Sequence, residues 1–341
     1  MRLTVLLVAG LLTARPLPAQ QPVPSDGQWM IELDDHSDRI HLNIRYGAGR
    51  HSSNWGRTVA MSELAGLTAA DMRGPRSQVQ FRIVRSAGTL TCDGWFRGGQ
   101  GSGHFTYEPS ADFVAELGKR GIDAPTEWEQ FEMTMAGVGL ELVDELQRQA
   151  YERPTAAELA QMATHGVDLE YVRGMGARGY HLRDPERLVL MRDHGVDPDF
   201  VAALDVAGYK NLTAEDLVRM RDHGVDPDFI ASVGSAGYKN LGTEDLVRLR
   251  DHGVDDDYIA DMKEAGYAPA DPEELVEARD HGVDPSYIRS LKEAGFERLS
   301  LTQLRRARDH GVTGAYIRHV KARGFGAASL EEVIRLRDRG F

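Results

Sequence analysis

The side chains best suited to chemistry in this 341-residue chain are histidines that recur at a fixed spacing. His165, His194, His223, His252, His281 and His310 stand 29 residues apart. Asp193, Asp222, Asp251, Asp280 and Asp309 precede the last five of them, and Arg192 to Arg308 stand one step earlier in the same register. An imidazole beside a carboxylate has the parts for metal ligation or proton transfer. Two arguments direct these columns elsewhere. Packed helices lie about 8–10 Å apart, so one metal does not bridge equivalent residues of successive units. A catalytic constellation is also unique, whereas a feature copied once per repeat serves the repeat. Histidine at a helix C-terminus meets the last carbonyls and the negative end of the dipole. The Asp and Arg columns are expected to form a charged ridge with ion pairs inside the array. No catalytic residue, no metal site and no cofactor is assigned from the sequence.

The remaining chemical candidates are isolated. Cys92 is the only cysteine, so no intramolecular disulfide forms. Its place in an alternating segment reads as a small strand residue. The His-Gly-Val-Asp-Pro-Asp turns share composition with calcium loops but lack their spacing of oxygen ligands. Gly98 to Gly103 contains Gly-x-Gly patterns without a strand–helix context for a nucleotide, and reads as a turn-rich connector. Asp34, Asp35, His36, His41 and His104 are a further set that could converge on a metal. Trp55, Trp95 and Phe96 are candidates to stack on sugars, with core packing as the alternative. Tyr180, Tyr209, Tyr238 and Tyr267 are candidate partner contacts, with packing between repeats as the alternative.

The elements that position these residues follow from the repeat. Arg-Asp-His-Gly-Val occurs at 192–196, 221–225, 250–254, 279–283 and 308–312. An aromatic or leucine column (Phe113, Leu142, Tyr171, Phe200, Phe229, Tyr258, Tyr287, Tyr316) and two glycine columns keep the same step. Eight units fill Ser110 to Phe341 without remainder. In the unit Asp226 to Val254, Asp226 is an N-cap and Pro227 sits at the first helical position. Phe229, Ile230 and Val233 give an apolar face, and Gly237 supplies a left-handed C′ residue. A second helix starts near Thr243 and ends at His252. The column Thr126, Thr155, Asp184, Thr213, Gly242, Asp271, Ser300, Ser329, with Glu, Asp or Gln three residues on in most units, reads as capping boxes. Helices of about ten residues are marginal alone, so each unit has to bury its face against its neighbours. Unit 139–167, with Gly139 for the cap and Ala150 for a glycine, is expected to be irregular.

Upstream, residues 40–46, 79–84, 90–96 and 104–107 alternate apolar and polar with period two. An antiparallel sheet of about five or six strands is expected. The fold class is therefore α+β: a small antiparallel β domain (20–109) followed by an all-α solenoid of eight helix-turn-helix repeats (110–341). Arg2, the apolar run Leu3 to Leu12 and the small residue Ala19 give residues 1–19 the order of a secretory signal peptide. The mature chain is expected to be periplasmic or secreted. Residues 20–109 carry nine basic and nine acidic side chains, whereas 110–341 carry 29 and 44. That acidic balance disfavours nucleic acid, and no apolar stretch is long enough to embed the protein in a membrane.

The segments Ala-Gly-Tyr-Lys-Asn-Leu-Thr-Ala-Glu-Asp-Leu-Val-Arg (207–219) and Arg-Asp-His-Gly-Val-Asp-Pro-Asp-Phe (192–200) resemble short helical repeats of exported bacterial proteins. Some of those are similar to extensions of BlaR1-type membrane sensor peptidases. The resemblance covers the array only and implies a helical scaffold. The peptidase zinc motif and membrane helices are missing, so that activity is not carried over. The expected function is a non-enzymatic scaffold or adaptor that binds a protein or peptide through the array. The alternative is glycan or cell-wall binding by the β domain, with the array as spacer.

Overall fold

A computed structural model of the chain describes residues 26–33, 40–47, 53–269, 271–325 and 328–341. The proposed signal peptide, and Asp34, Asp35 and His36 of the possible metal set, lie outside the described residues. The strands are β1 (Asp26–Leu33), β2 (Ile40–Tyr46), β3 (Ser53–Val59), β4 (Ser77–Arg85), β5 (Gly88–Arg97) and β6 (Gln100–Pro109), with helix α1 (Ala69–Arg73) before β4. They form one antiparallel sheet in the order β3-β2-β1-β6-β5-β4. The α+β class expected from the sequence is the observed one.

Period-two alternation sends one side chain in two to the buried face. Trp29, Ile31, Ile40, Leu42, Ile44, Val79, Phe81, Ile83, Leu90, Cys92, Phe96 and Phe105 form the core there with Leu64, Leu67 and Met72. Trp29 is fully buried, and its indole N–H donates to the carbonyls of Asp93 and His104. Phe96 belongs to this core at 0% exposure, so of its two sequence readings packing holds.

Gly98 to Gly103 does not form the connector expected. Only Gly98 and Gly99, at φ 55° and 87°, make the turn, and β6 begins at Gln100. This is the left-handed pair that a tight hairpin requires. Gly101 and Gly103 are strand residues, kept small because a Cβ at Gly101 would lie 2.5 Å from the Phe96 ring and one at Gly103 2.0 Å from the Asp93 carbonyl.

Sixteen helices follow among the described residues. The first helices of the units are α2 (Ala111–Lys119), α4 (Leu140–Arg148), α6 (Leu169–Ala177), α8 (Pro198–Val206), α10 (Pro227–Ser235), α12 (Asp256–Glu264), α14 (Pro285–Glu293) and α16 (Gly314–Ala322). The second helices are α3 (Glu127–Ala136), α5 (Ala156–Thr164), α7 (Pro185–Asp193), α9 (Ala214–Asp222), α11 (Thr243–Asp251), α13 (Glu273–Asp280), α15 (Leu301–Asp309) and α17 (Leu330–Asp338).

The caps are those read from the sequence. Asp168, Asp197, Asp226, Asp255 and Asp284 each accept from the backbone N–H three residues on. Capping boxes start α3, α5, α9, α15 and α17. At α13 the regular helix begins one residue after Pro272, and Asp271 accepts from the Glu273 N–H.

The irregularity expected in unit 139–167 is small in the backbone. Helix α4 keeps nine residues, and Ala150 adopts the left-handed φ of 61° where other units place glycine.

Packing divides the chain later than the change of pattern at residue 109. One unit holds the described residues up to Val143 together with Arg153–Thr164, and the other holds Asp144–Glu152 with His165–Phe341. The first repeat belongs with the sheet because α3 is bound to it. Phe131 meets Tyr46 and Tyr107 edge-on at 5.0 Å each. Gln130 donates to the carbonyls of Ala87 and Ser110. Arg85 donates to the last carbonyls of α3, Thr134 at 2.9 Å and Met135, and pairs with Glu63 at 3.0 Å. The guanidinium thus adds to the left-handed Gly137 C-cap at that helix end.

Candidate functional site

The Arg-Asp-His-Gly motif proves to be an inter-repeat clasp. Each histidine Nδ1 meets the Asp Oδ1 of the following unit at 2.6–2.7 Å, from His165–Asp193 through His194–Asp222, His223–Asp251, His252–Asp280 and His281–Asp309 to His310–Asp338. The arginine one residue before that Asp lies against the glycine of the preceding unit: Arg221 Nε would be 3.4 Å from a Cβ on Gly195. Its guanidinium then stacks over the first-helix aromatic, Arg192 on Tyr171 at 5.0 Å, Arg221 on Phe200 at 4.8 Å and Arg279 on Tyr258 at 4.7 Å. The motif therefore supplies a His–Asp hydrogen bond and a close Arg–Gly approach to the six junctions from unit 139–167 onward, and a cation–π contact within the arginine's own unit. Partners in the His–Asp pairs are about 40% exposed, so each adds only modest stability. Among the described residues no three His, Cys, Asp or Glu side chains gather as a metal set.

The loop tyrosines are likewise engaged between units. Tyr180 donates to the Leu212 carbonyl at 2.9 Å, Tyr209 to Leu241 at 2.9 Å, Tyr238 to Pro269 at 2.8 Å and Tyr267 to Leu299 at 2.7 Å. All four are half-buried. Of the two sequence readings, packing between repeats is the one this geometry carries. The first-helix tyrosines are buried more deeply and act within their own unit: Tyr171, Tyr258 and Tyr287 donate to the carbonyls of Val196, Val283 and Val312, tying the first helix to the end of the second. Burial pushes the phenols of Tyr258 and Tyr287 up to about 12. Such hydroxyls are structural donors and stay neutral at physiological pH.

What the framework leaves free is a surface of changing chemistry. On the first helices the exposed column Ala177, Val206, Ser235, Glu264, Glu293, Ala322 varies from unit to unit. So does the neighbouring column Arg173, Ala202, Ala231, Ala260, Arg289, Arg318, which is exposed at all but Ala202. These columns escaped the sequence reading because a search for repeats rewards constancy. Their signal is the reverse, an exposed position in which the period is kept and the residue is not.

The two tryptophans proposed as sugar platforms are not brought together. Trp55 pairs with Ile44, points to the core face and lies half-buried beside Arg57 and Arg85. Trp95 points from the opposite face and is 46% exposed. Around it lies a cleft of about 420 Å³, bordered by Met30, Glu32, Asn43, Arg97 and Gln100. Strand β1 was not identified from the sequence, so this grouping was not either. An available signal was Met30, a large apolar residue on the outward phase of a strand.

No helix among the described residues is long and apolar enough to cross a membrane. Scanned against models of known protein families the chain matches none of them, and no curated protein matches it.

Proposed function

We propose that this chain is an exported, non-enzymatic scaffold that binds a protein or peptide partner along its helical repeats. The observation that carries this reading is the division of labour within the repeat. Residues that recur along the array are spent on capping helices and on contacts within and between units, while the exposed first-helix columns change from Ala177 to Val206, Ser235 and Glu264. A stack of identical supports with a varying face is how repeat proteins build extended recognition surfaces. Export rests on the N-terminal residues Arg2, Leu3 to Leu12 and Ala19, and on the resemblance of the array to exported repeats. The acidic array favours a partner with basic or hydrogen-bonding surface over an anionic polymer.

The test is a crosslinking pull-down from an envelope extract with the full chain. It is compared with a variant carrying Ala231→Arg, Glu264→Lys and Glu293→Lys. These side chains are exposed, so the circular dichroism should be unchanged. A protein captured by the parent and lost by the variant supports the reading. Equal capture by both, or no specific capture, overturns it.

A further inference from the structure

The solvent face of the β-sheet carries a second, independent feature. Antiparallel register sets Asn43 opposite Met30, Met30 opposite Ser102, Ser102 opposite Trp95 and Trp95 opposite Gln78 in one row across five strands. The next row is His41, Glu32, Gln100 and Arg97. On this face the small Ser102 of β6 stands between two large apolar side chains, Met30 on β1 and Trp95 on β5. A large–small–large row makes a trough. Its walls stand two strand spacings apart, about 9.5 Å, which admits one sugar ring edge to edge. Its volume of about 420 Å³ is within the range of small-ligand clefts, about 300–1,000 Å³.

We infer that this cleft binds a neutral saccharide, with Trp95 as the stacking platform and Glu32, Asn43, Arg97 and Gln100 as hydrogen-bonding groups around it. Met30 is 49% exposed and Trp95 46%, and the two flank Ser102 directly on this face, apart from the exposed Val84 of β4. The electron-rich face of an indole attracts the slightly positive C–H face of a pyranose. The ring's hydroxyl edge then meets two neutral amides, a carboxylate and a guanidinium. Gln100 Nε2 already leans toward Glu32 Oε1 at 3.3 Å, which holds both side chains along one rim.

Other occupants fit less well. Glu32 and Arg97 cancel, so the cleft has no net charge with which to select a phosphate. Nucleic acid is further disfavoured by the acidic balance of the chain. A peptide that adds as a strand needs an edge, and the edges of this sheet are β3 and β4, whereas the cleft lies over β1, β6 and β5.

The proposal does not depend on the array reading, and the experiment separates them. The full mature chain is titrated with chitotriose, cellotetraose and maltotetraose, followed by tryptophan fluorescence and calorimetry. At least one should bind, and Trp95→Ala should weaken it ten-fold or more. Ser102→Tyr, which fills the trough between Met30 and Trp95 while leaving the indole in place, should abolish it. The triple array variant described above should bind the saccharide as the parent does. Trp95 is exposed, so Trp95→Ala leaves the core intact, and an unchanged thermal transition checks this. No binding by any of the three sugars, or binding that survives both Trp95→Ala and Ser102→Tyr, overturns the inference. Loss of protein capture rather than saccharide binding on Trp95→Ala would make this face a protein-docking surface and overturn it too.

Discussion

Ala150 is the point at which the array departs from its own rule, and it offers a clean test of the backbone argument. Other units place glycine here, at φ 76° to 119°, whereas Ala150 holds φ 61°. A left-handed dihedral costs an L-residue about 1–2 kcal/mol, because Cβ crowds the following carbonyl. The methyl group is exposed, so removing it forfeits no burial. Ala150→Gly therefore relieves the strain but loses about 0.4–1 kcal/mol, because the unfolded chain becomes freer. The net expectation is stabilisation by about 0.5–1 kcal/mol.

The mirror experiment is Gly208→Ala, at φ 98° with no atom within 4 Å of the added Cβ. Its cost is purely dihedral and should be about 1 kcal/mol, more than the Ala150 gain because φ 98° lies further from the left-handed minimum near 57°. Urea denaturation followed by circular dichroism reads both, and the slope should stay constant so that midpoints report stability alone. A neutral or destabilising Ala150→Gly, together with a neutral Gly208→Ala, would refute the claim that this glycine column is set by backbone conformation.

The His–Asp clasp predicts a small, pair-specific coupling. In a double-mutant cycle of His223→Ala and Asp251→Ala the interaction term should be about 0.2–1 kcal/mol, since the partners are 40% and 43% exposed. A coupling of zero would remove the clasp from the account of inter-repeat stability. The buried phenols and the thiol predict an alkaline limit. Burial raises the Cys92 thiol and the Tyr171 phenol above their ordinary values, and brings Tyr258 and Tyr287 to about 12 from 10.0. The unfolded chain loses these protons first, so stability is full below the ordinary values of 9.0 and 10.0 and falls as pH rises toward 12. Urea midpoints at about pH 8 and about pH 10.5 should differ, the second being lower; equal midpoints would contradict the burial argument. For the same reason Cys92 should resist thiol reagents in the native state and react on unfolding.

What could be read from the sequence is what is local along the chain. A cap and its acceptor are three residues apart, as with Asp226 and Phe229, and a helix-ending glycine answers to its own dihedral. The eight units, their helices, their caps and four of the six strands were accordingly legible, whereas β1 and β3 were not. The repeat length announced the clasp only as three constant columns. That His223 meets Asp251, 28 residues on, while Arg250 lies against Gly224, was decided by how one unit packs on the previous one. Before that packing is known, the histidine column reads as helix C-terminal residues, and the carboxylate each one meets in the next unit is not legible.

Tertiary structure alone settled the sheet. Strand order β3-β2-β1-β6-β5-β4 brings Met30 beside Ser102, 72 residues later, and sends Trp55 and Trp95 to opposite faces. Pairing between distant strands is set by which hydrophobic faces close on a common core, a global condition that no local pattern encodes. The sequence therefore determined the parts of this protein and their spacing. Which side chains face one another in the trough, and which are consumed inside the array, followed from the register of those parts in space.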